Sequence, residues 1–180
     1  EEELIHSFII INDKNKSSEF YKLAFNEDSL PSKFKQLIEA IESGTNTIWL
    51  EYNTGINLNT NIATLRAIRI VMENIKVALS RPRLNYKISV SPKDDLINPL
   101  TDESIIRLNY FAIGSLLGSA DYLHLIPFAQ DYEKARIANN MLNVFKHESF
   151  LDLYNDAVSG SYFYEDITNQ TAHNIWQAIV

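Results

Sequence analysis

The chain has 180 residues, 46% of them hydrophobic and 22% charged, the balance of a folded domain with a substantial core. A formal net charge of -7, with no basic cluster interleaved with aromatics, argues against nucleic acid as a partner. There is no cysteine, which removes disulfides, thiolate nucleophiles and Cys-held metals and fits a reducing, cytoplasmic setting; no apolar run is long enough to span a membrane.

The opening Glu1-Glu2-Glu3 is the opposite of a basic signal-peptide start and reads as an internal point of a longer protein. Ile5 to Ile11 is a continuous apolar run, the pattern of a strand buried on both faces, and the polar Asn12 to Ser18 reads as a loop. A short helix is expected over Ser18 to Phe25. Ser29 and Pro31 then open a helix with Phe34, Leu37, Ile38 and Ile41 on one face, closed by Ser43-Gly44. Thr45 to Tyr52 reads as the second strand and Asn53 to Asn59 as a loop. Ile62, Leu65, Ile68, Met72, Ile75 and Leu79 recur at spacings of three and four, a strong amphipathic helix ended by Pro82.

Tyr86 to Val90 is the third strand, and Asp94 to Pro99 a loop. Asp102 and Glu103 suit the positive end of a helix running to about Leu117. Gly118-Ser119 breaks it. Tyr122 to Ile126 is the fourth strand, stopped by Pro127. Further helices are expected over Tyr132 to Lys146 and from Ile167 to Val180. Tyr162, Phe163 and Tyr164 read as alternating like a strand, with one face in the core and the other at an interface. Strands alternating with helices imply parallel pairing through right-handed crossovers. The whole of 1–180 therefore reads as one α/β domain.

Several segments resemble one family. Asp156-Ala-Val-Ser-Gly-Ser-Tyr-Phe-Tyr-Glu-Asp-Ile-Thr168 resembles the Asp-Pro-x-x-Gly-Ser-Tyr-Tyr-[Ile/Val]-Glu-x-Leu-Thr signature of methylmalonyl-CoA mutases. Ala63-Thr-Leu-Arg-Ala-Ile-Arg69 is similar to the family's Ala-Lys-x-Arg-Ala-Ala-Arg. Gly114-Ser-Leu-Leu-Gly-Ser-Ala-Asp-Tyr-Leu-His124 resembles its Ala-x-Leu-Gly-Gly-x-x-Ser-Leu-His. Arg136-Ile-Ala-Asn-Asn140 followed by Lys146-His-Glu-Ser149 resembles Arg-Ile-Ala-Arg-Asn followed by Gln-Glu-Glu-Ser. The resemblance covers roughly residues 33 to 175. It implies parallel (β/α) units forming the second half of a TIM-type (β/α)₈ barrel, since a whole barrel takes about 250 residues. Half a barrel leaves two open sheet edges, so a longer subunit or a second chain is expected to cover them.

The chemistry the resemblance implies is a radical rearrangement of an acyl-CoA by adenosylcobalamin, in which the cofactor carries the difficult step. Family members hold cobalamin in a separate domain through Asp-x-His-x-x-Gly, which this chain lacks. The family's Tyr-His-x-x-Glu-Ala-Gly segment is replaced by FIIINDKNKSSE over Phe8 to Glu19, and its Thr-Ser-Gly-Trp by Ser89-Val-Ser-Pro92. Its CoA-contacting Arg is not recognisable, and its Tyr-Asn-Asn gives way to residues around Leu100-Thr-Asp-Glu103. The scaffold motifs remain and the catalytic ones do not, which resembles the non-catalytic small subunit of heterodimeric mutases.

On this reading no catalytic residue, cofactor ligand or metal ligand is assigned here. The partner is a catalytic large subunit carrying adenosylcobalamin, and self-association of the fragment is a further possibility. His124 matches a family His that faces the active-site cavity, though a core histidine is the blander reading. His147 reads as a solvated helix end, and Arg66 and Arg69 as structural ion-pair formers. Two alternatives stay open. In one, a residual site of Ser89, His124 and Asn140 contacts an acyl-CoA. In the other, the chain is an unrelated α/β binding module.

Overall fold

The computed structural model describes residues 21–93, 102–125, 132–151, 153 and 156–179. In chain order the elements are β1 (Tyr21–Phe25), α1 (Leu30–Glu42), β2 (Thr47–Thr54), α2 (Leu58–Ala78), β3 (Asn85–Pro92), α3 (Asp102–Leu117), β4 (Tyr122–Leu123), α4 (Tyr132–His147) and α5 (Tyr162–Ile179). The strands form one parallel sheet in the order β1-β2-β3-β4. Parallel neighbours taken in sequence order, each reached through a helix, are the arrangement of part of a (β/α)₈ barrel. The expected α/β class and parallel pairing therefore hold.

Register sorts the two faces. Leu23 pairs with Leu50 and Leu50 with Ile88, while Phe25 pairs with Tyr52, Tyr52 with Val90 and Val90 with Leu123. All seven are buried and join the helices in one core. The alternate residues Lys22, Trp49, Glu51, Asn53, Lys87, Ser89, Ser91 and Tyr122 lie on the opposite, axis-facing side, because side chains on a strand alternate.

The helix faces follow the predicted periodicities. Phe34, Leu37 and Ile41 of α1 and Ile62, Leu65, Ile68, Met72 and Ile75 of α2 are all buried. Asn57 caps α2 by accepting the Thr60 N–H at 3.1 Å. Ser29 stands at the start of α1, but its hydroxyl donates to Asn26 Oδ1 at 2.8 Å, so it closes the β1–α1 turn instead of capping the helix. Gly44 has φ +112° and ends α1 in a backbone conformation that side chains resist.

Three expectations need correction. Tyr21–Phe25 is a strand and no part of a helix over Ser18 to Phe25: its alternation of Leu23 and Phe25 into the core, in register with β2, decides it. Tyr162, Phe163 and Tyr164 do not alternate like a strand; they form the first turn of α5, with Tyr162 almost fully exposed and Phe163 half exposed. The fourth strand is shorter than Tyr122 to Ile126, spanning Tyr122–Leu123, with the His124 N–H still donating to Val90 O at 2.8 Å. The strand expected over Ile5 to Ile11, the loop over Asp94 to Pro99 and the stop at Pro127 lie outside the described residues.

Two packing devices follow from the sequence segments singled out above. Gly114 and Gly118 sit one turn apart where α3 meets α2. A methyl group at Gly118 would lie 2.8 Å from Leu65 Cδ1 and 2.9 Å from Leu65 Cβ, so only a residue without a side chain allows the helices this close. Arg69 of α2 donates to Ser119 O and, at 3.0 Å, to Asp121 Oδ2. Asp121 also accepts the Ile88 N–H at 2.8 Å and pairs with Lys87 at 3.2 Å. One aspartate thus ties the start of β4 to β3 and to the outer helix.

Candidate functional site

In barrels of this type chemistry resides at the C-terminal ends of the strands. Ser89 lies in the middle of β3, and His124 just past the end of β4, on the same face of the sheet. Ser89 pairs in register with Tyr122, and His124 follows two residues later along the same chain. Asn140 is not brought to them: it lies on the exposed face of α4, opposite the buried Ala138, Met141, Leu142 and Phe145.

Ser89 is 1% exposed. The indole of Trp49 on β2 and the ring of Tyr122 on β4 stack at 4.6 Å with a 28° interplanar angle, and Ser89 stands on the strand between them. Beside them Lys22 and Glu51 form an ion pair at 2.7 Å, and Asn53 donates to Ser91 Oγ at 3.3 Å.

Both ring nitrogens of His124 are buried without a hydrogen-bond partner among the described residues. Burial lowers its pKa; the nearby Glu51 charge opposes this and the Lys22 charge adds to it. The ring is therefore neutral at pH 7 and leaves one donor and one acceptor unused, an arrangement that costs stability unless something fills it.

His124 is buried among its neighbours, and His147 and His173 lie on exposed helix faces. Among the described residues there is also no cluster of three or more His, Asp or Glu side chains suited to a metal. No chemical step is assigned to adenosylcobalamin on this chain.

The Asp156–Thr168 segment is engaged elsewhere. Arg66, its side chain 11% exposed, donates to Asp156 Oδ2 from Nε at 3.1 Å and from Nη2 at 2.9 Å. It also reaches Glu165 Oε1 at 2.8 Å, Thr168 Oγ1 at 3.1 Å and Tyr164 O at 3.4 Å. Glu165 Oε1 in turn accepts the Gly160 N–H at 3.1 Å, and Gly160 adopts φ +81°. One guanidinium from α2 therefore gathers the turn and the first two turns of α5. Burial opposes the Arg66 charge, but the Glu165 and Asp156 carboxylates outweigh it and hold the guanidinium protonated. This is the ion-pair role expected of Arg66, and the sequence did not show that its partners would be the signature itself.

The Arg66 hydrogen bond, followed by the Gly160 N–H, holds the Glu165 carboxyl below its ordinary value of 4.5. A carboxyl depressed in the folded state contributes its stability in full above the unfolded value and loses it as pH falls through the folded value. Unfolding free energy should accordingly decline as pH falls below about 4.5. In denaturant titrations across that range, Glu165→Gln should flatten part of the decline. An acid limb identical in both proteins would show that Glu165 is not linked to folding.

Residues 40–180 match the family model described as methylmalonyl-CoA mutase. A methylmalonyl-CoA mutase from Rhizobium meliloti (strain 1021) is 28% identical over 141 residues, covering 69% of this chain and 19% of that protein. The chain thus corresponds to less than a quarter of that relative's length. The match takes in α2, the sheet from β2 onward, the Gly114–Gly118 contact and the whole Arg66 network. It sets aside the unrelated α/β module. On this evidence, and on a parallel sheet that is part of a barrel, the chain belongs to the methylmalonyl-CoA mutase family.

Proposed function

We propose that this chain is part of the small, non-catalytic subunit of an adenosylcobalamin-dependent methylmalonyl-CoA mutase, pairing with a catalytic large subunit that interconverts methylmalonyl-CoA and succinyl-CoA. The carrying observation is the stack of Trp49 on Tyr122 over Ser89. Ser89, mid-strand in β3 and 1% exposed, is closed to a substrate, and the two rings stack across that strand. The family signature, meanwhile, is spent on the Arg66 clamp between α2 and α5, away from the axis. Adenosylcobalamin, when bound to the partner, supplies the radical; this chain's residues keep the shape of the barrel. A cytoplasmic placement belongs to the same reading.

A second reading is favoured by one observation. His124 carries two unused ring nitrogens on the side of the sheet that holds Ser89, and an acyl-CoA carbonyl or phosphate could satisfy one of them. Calorimetry of the full-length chain with methylmalonyl-CoA and succinyl-CoA separates the two. The scaffold reading expects no heat of binding. A heat signal lost in His124→Ala would overturn it in favour of a residual site.

A further inference from the structure

A cleft of about 300 Å³ lies where the start of α1, the first turns of α2 and the second half of α5 meet. That volume is at the small end of ligand cavities. Its lining combines hydrogen-bonding groups on Glu27, Thr60, Thr64, Thr171 and Asn174 with apolar surface from Leu30, Pro31 and Ile175.

Glu27 supplies the one charge in this lining, and among the described residues no Lys or Arg pairs with it. Its Oε1 is oriented by the Tyr52 hydroxyl, which donates at 3.3 Å. Burial pushes the Tyr52 phenol well above its ordinary value, so it remains a proton donor. The Thr54 hydroxyl is 3.4 Å from the same oxygen, but its single proton goes to Asn61 Oδ1 at 2.7 Å. Among the described residues the second oxygen of Glu27 accepts no hydrogen bond. The Thr171 hydroxyl donates to Ile167 O at 2.7 Å and Thr64 is hydrogen-bonded to Tyr52, so both offer acceptor lone pairs; a carboxylate with such acceptors in one cleft complements an ammonium group that carries a hydroxyl donor.

We propose that this cleft binds a small organic cation of the amino-alcohol class, its ammonium on Glu27 and its hydroxyl among Thr60, Thr64 and Thr171. The cleft lies just beyond the C-terminal ends of β1 and β2, on the helix side of the sheet and away from Ser89. It exists because α5 crosses α1 and α2, and α5 is fixed by Arg66. Occupancy therefore favours the docked α5 by mass action, which links a small ligand to the firmness of the outer helix layer.

Methyl NMR of the full-length protein tests this, with ethanolamine as the probe, ethylene glycol as the neutral control and propionate as the anionic one. Ethanolamine is expected to shift the Leu30 and Ile175 methyl signals, with the other two compounds far weaker. Glu27→Gln, a change at an exposed residue, should weaken the ethanolamine response by about tenfold or more, the loss of one charge-assisted hydrogen bond. Absence of a shift with ethanolamine would overturn the proposal. So would an undiminished response in Glu27→Gln, or an equal response to propionate.

Discussion

Arg66→Met should cost about 2 kcal/mol of unfolding free energy, within the range for losing hydrogen bonds to a charged group. Methionine keeps most of the apolar stem, so the loss reports the guanidinium rather than the packing. Five hydrogen bonds disappear together. Asp156 and Glu165 are partly exposed and can recover water, which is why the larger values are not expected. Thr168 is 1% exposed, and its oxygen has less to fall back on. Hydrogen exchange would localise the effect: α5 amides should exchange earlier than those of β2 and β3. Arg66→Lys should restore only part of the stability, because an ammonium cannot reach three side chains at once. A variant as stable as the parent, or one with uniform loss of protection, would contradict the clamp.

Gly118→Ala is expected to cost about 2 kcal/mol, within the range for an added methyl in a packed core. The closest atoms are Leu65 Cδ1 at 2.8 Å and Leu65 Cβ at 2.9 Å. A terminal methyl can rotate away, but a Cβ moves only with its backbone, so α2 and α3 must part. Gly114→Ala makes an internal comparison, since its added atom would sit 3.2 Å from Asn61 Cβ and 3.3 Å from Leu58 Cδ1. Its cost should be clearly smaller. Chemical denaturation of the two variants gives the order directly, and equal or negligible costs would show that the helices are not held this close.

Much of the fold could be read from periodicity. Leu65, Ile68, Met72 and Ile75 at three-and-four spacing have no other use than a buried helix face, and all are buried. β1 escaped notice because five residues carry only two full periods of alternation. Its strand character comes from register with β2, a non-local contact. The error at Tyr162–Tyr164 has the opposite cause. Three aromatics favour a strand locally. The helix instead starts at Tyr162 because Arg66, far away in sequence, accommodates Tyr164 O, Glu165 and Thr168 along one helical face.

The candidate site was less legible. Sequence could place Ser89 and His124 on neighbouring strands, since both followed from strand boundaries and parallel order. It could not show that Trp49 and Tyr122 would meet across β3, because neither residue belongs to a motif and the contact depends on register. Asn140 was matched by motif alone, and helix phase put it on the exposed side of α4. The cleft around Glu27 had no linear signal, being assembled from a turn and three helices.

The central claim is that this chain serves a mutase as a partner rather than as a catalyst. Co-expression of the full-length protein with a catalytic large subunit, followed by size-exclusion chromatography at micromolar concentration, tests it most directly. The account predicts a single peak containing both chains in equal amounts. Separate elution of the two chains would contradict it.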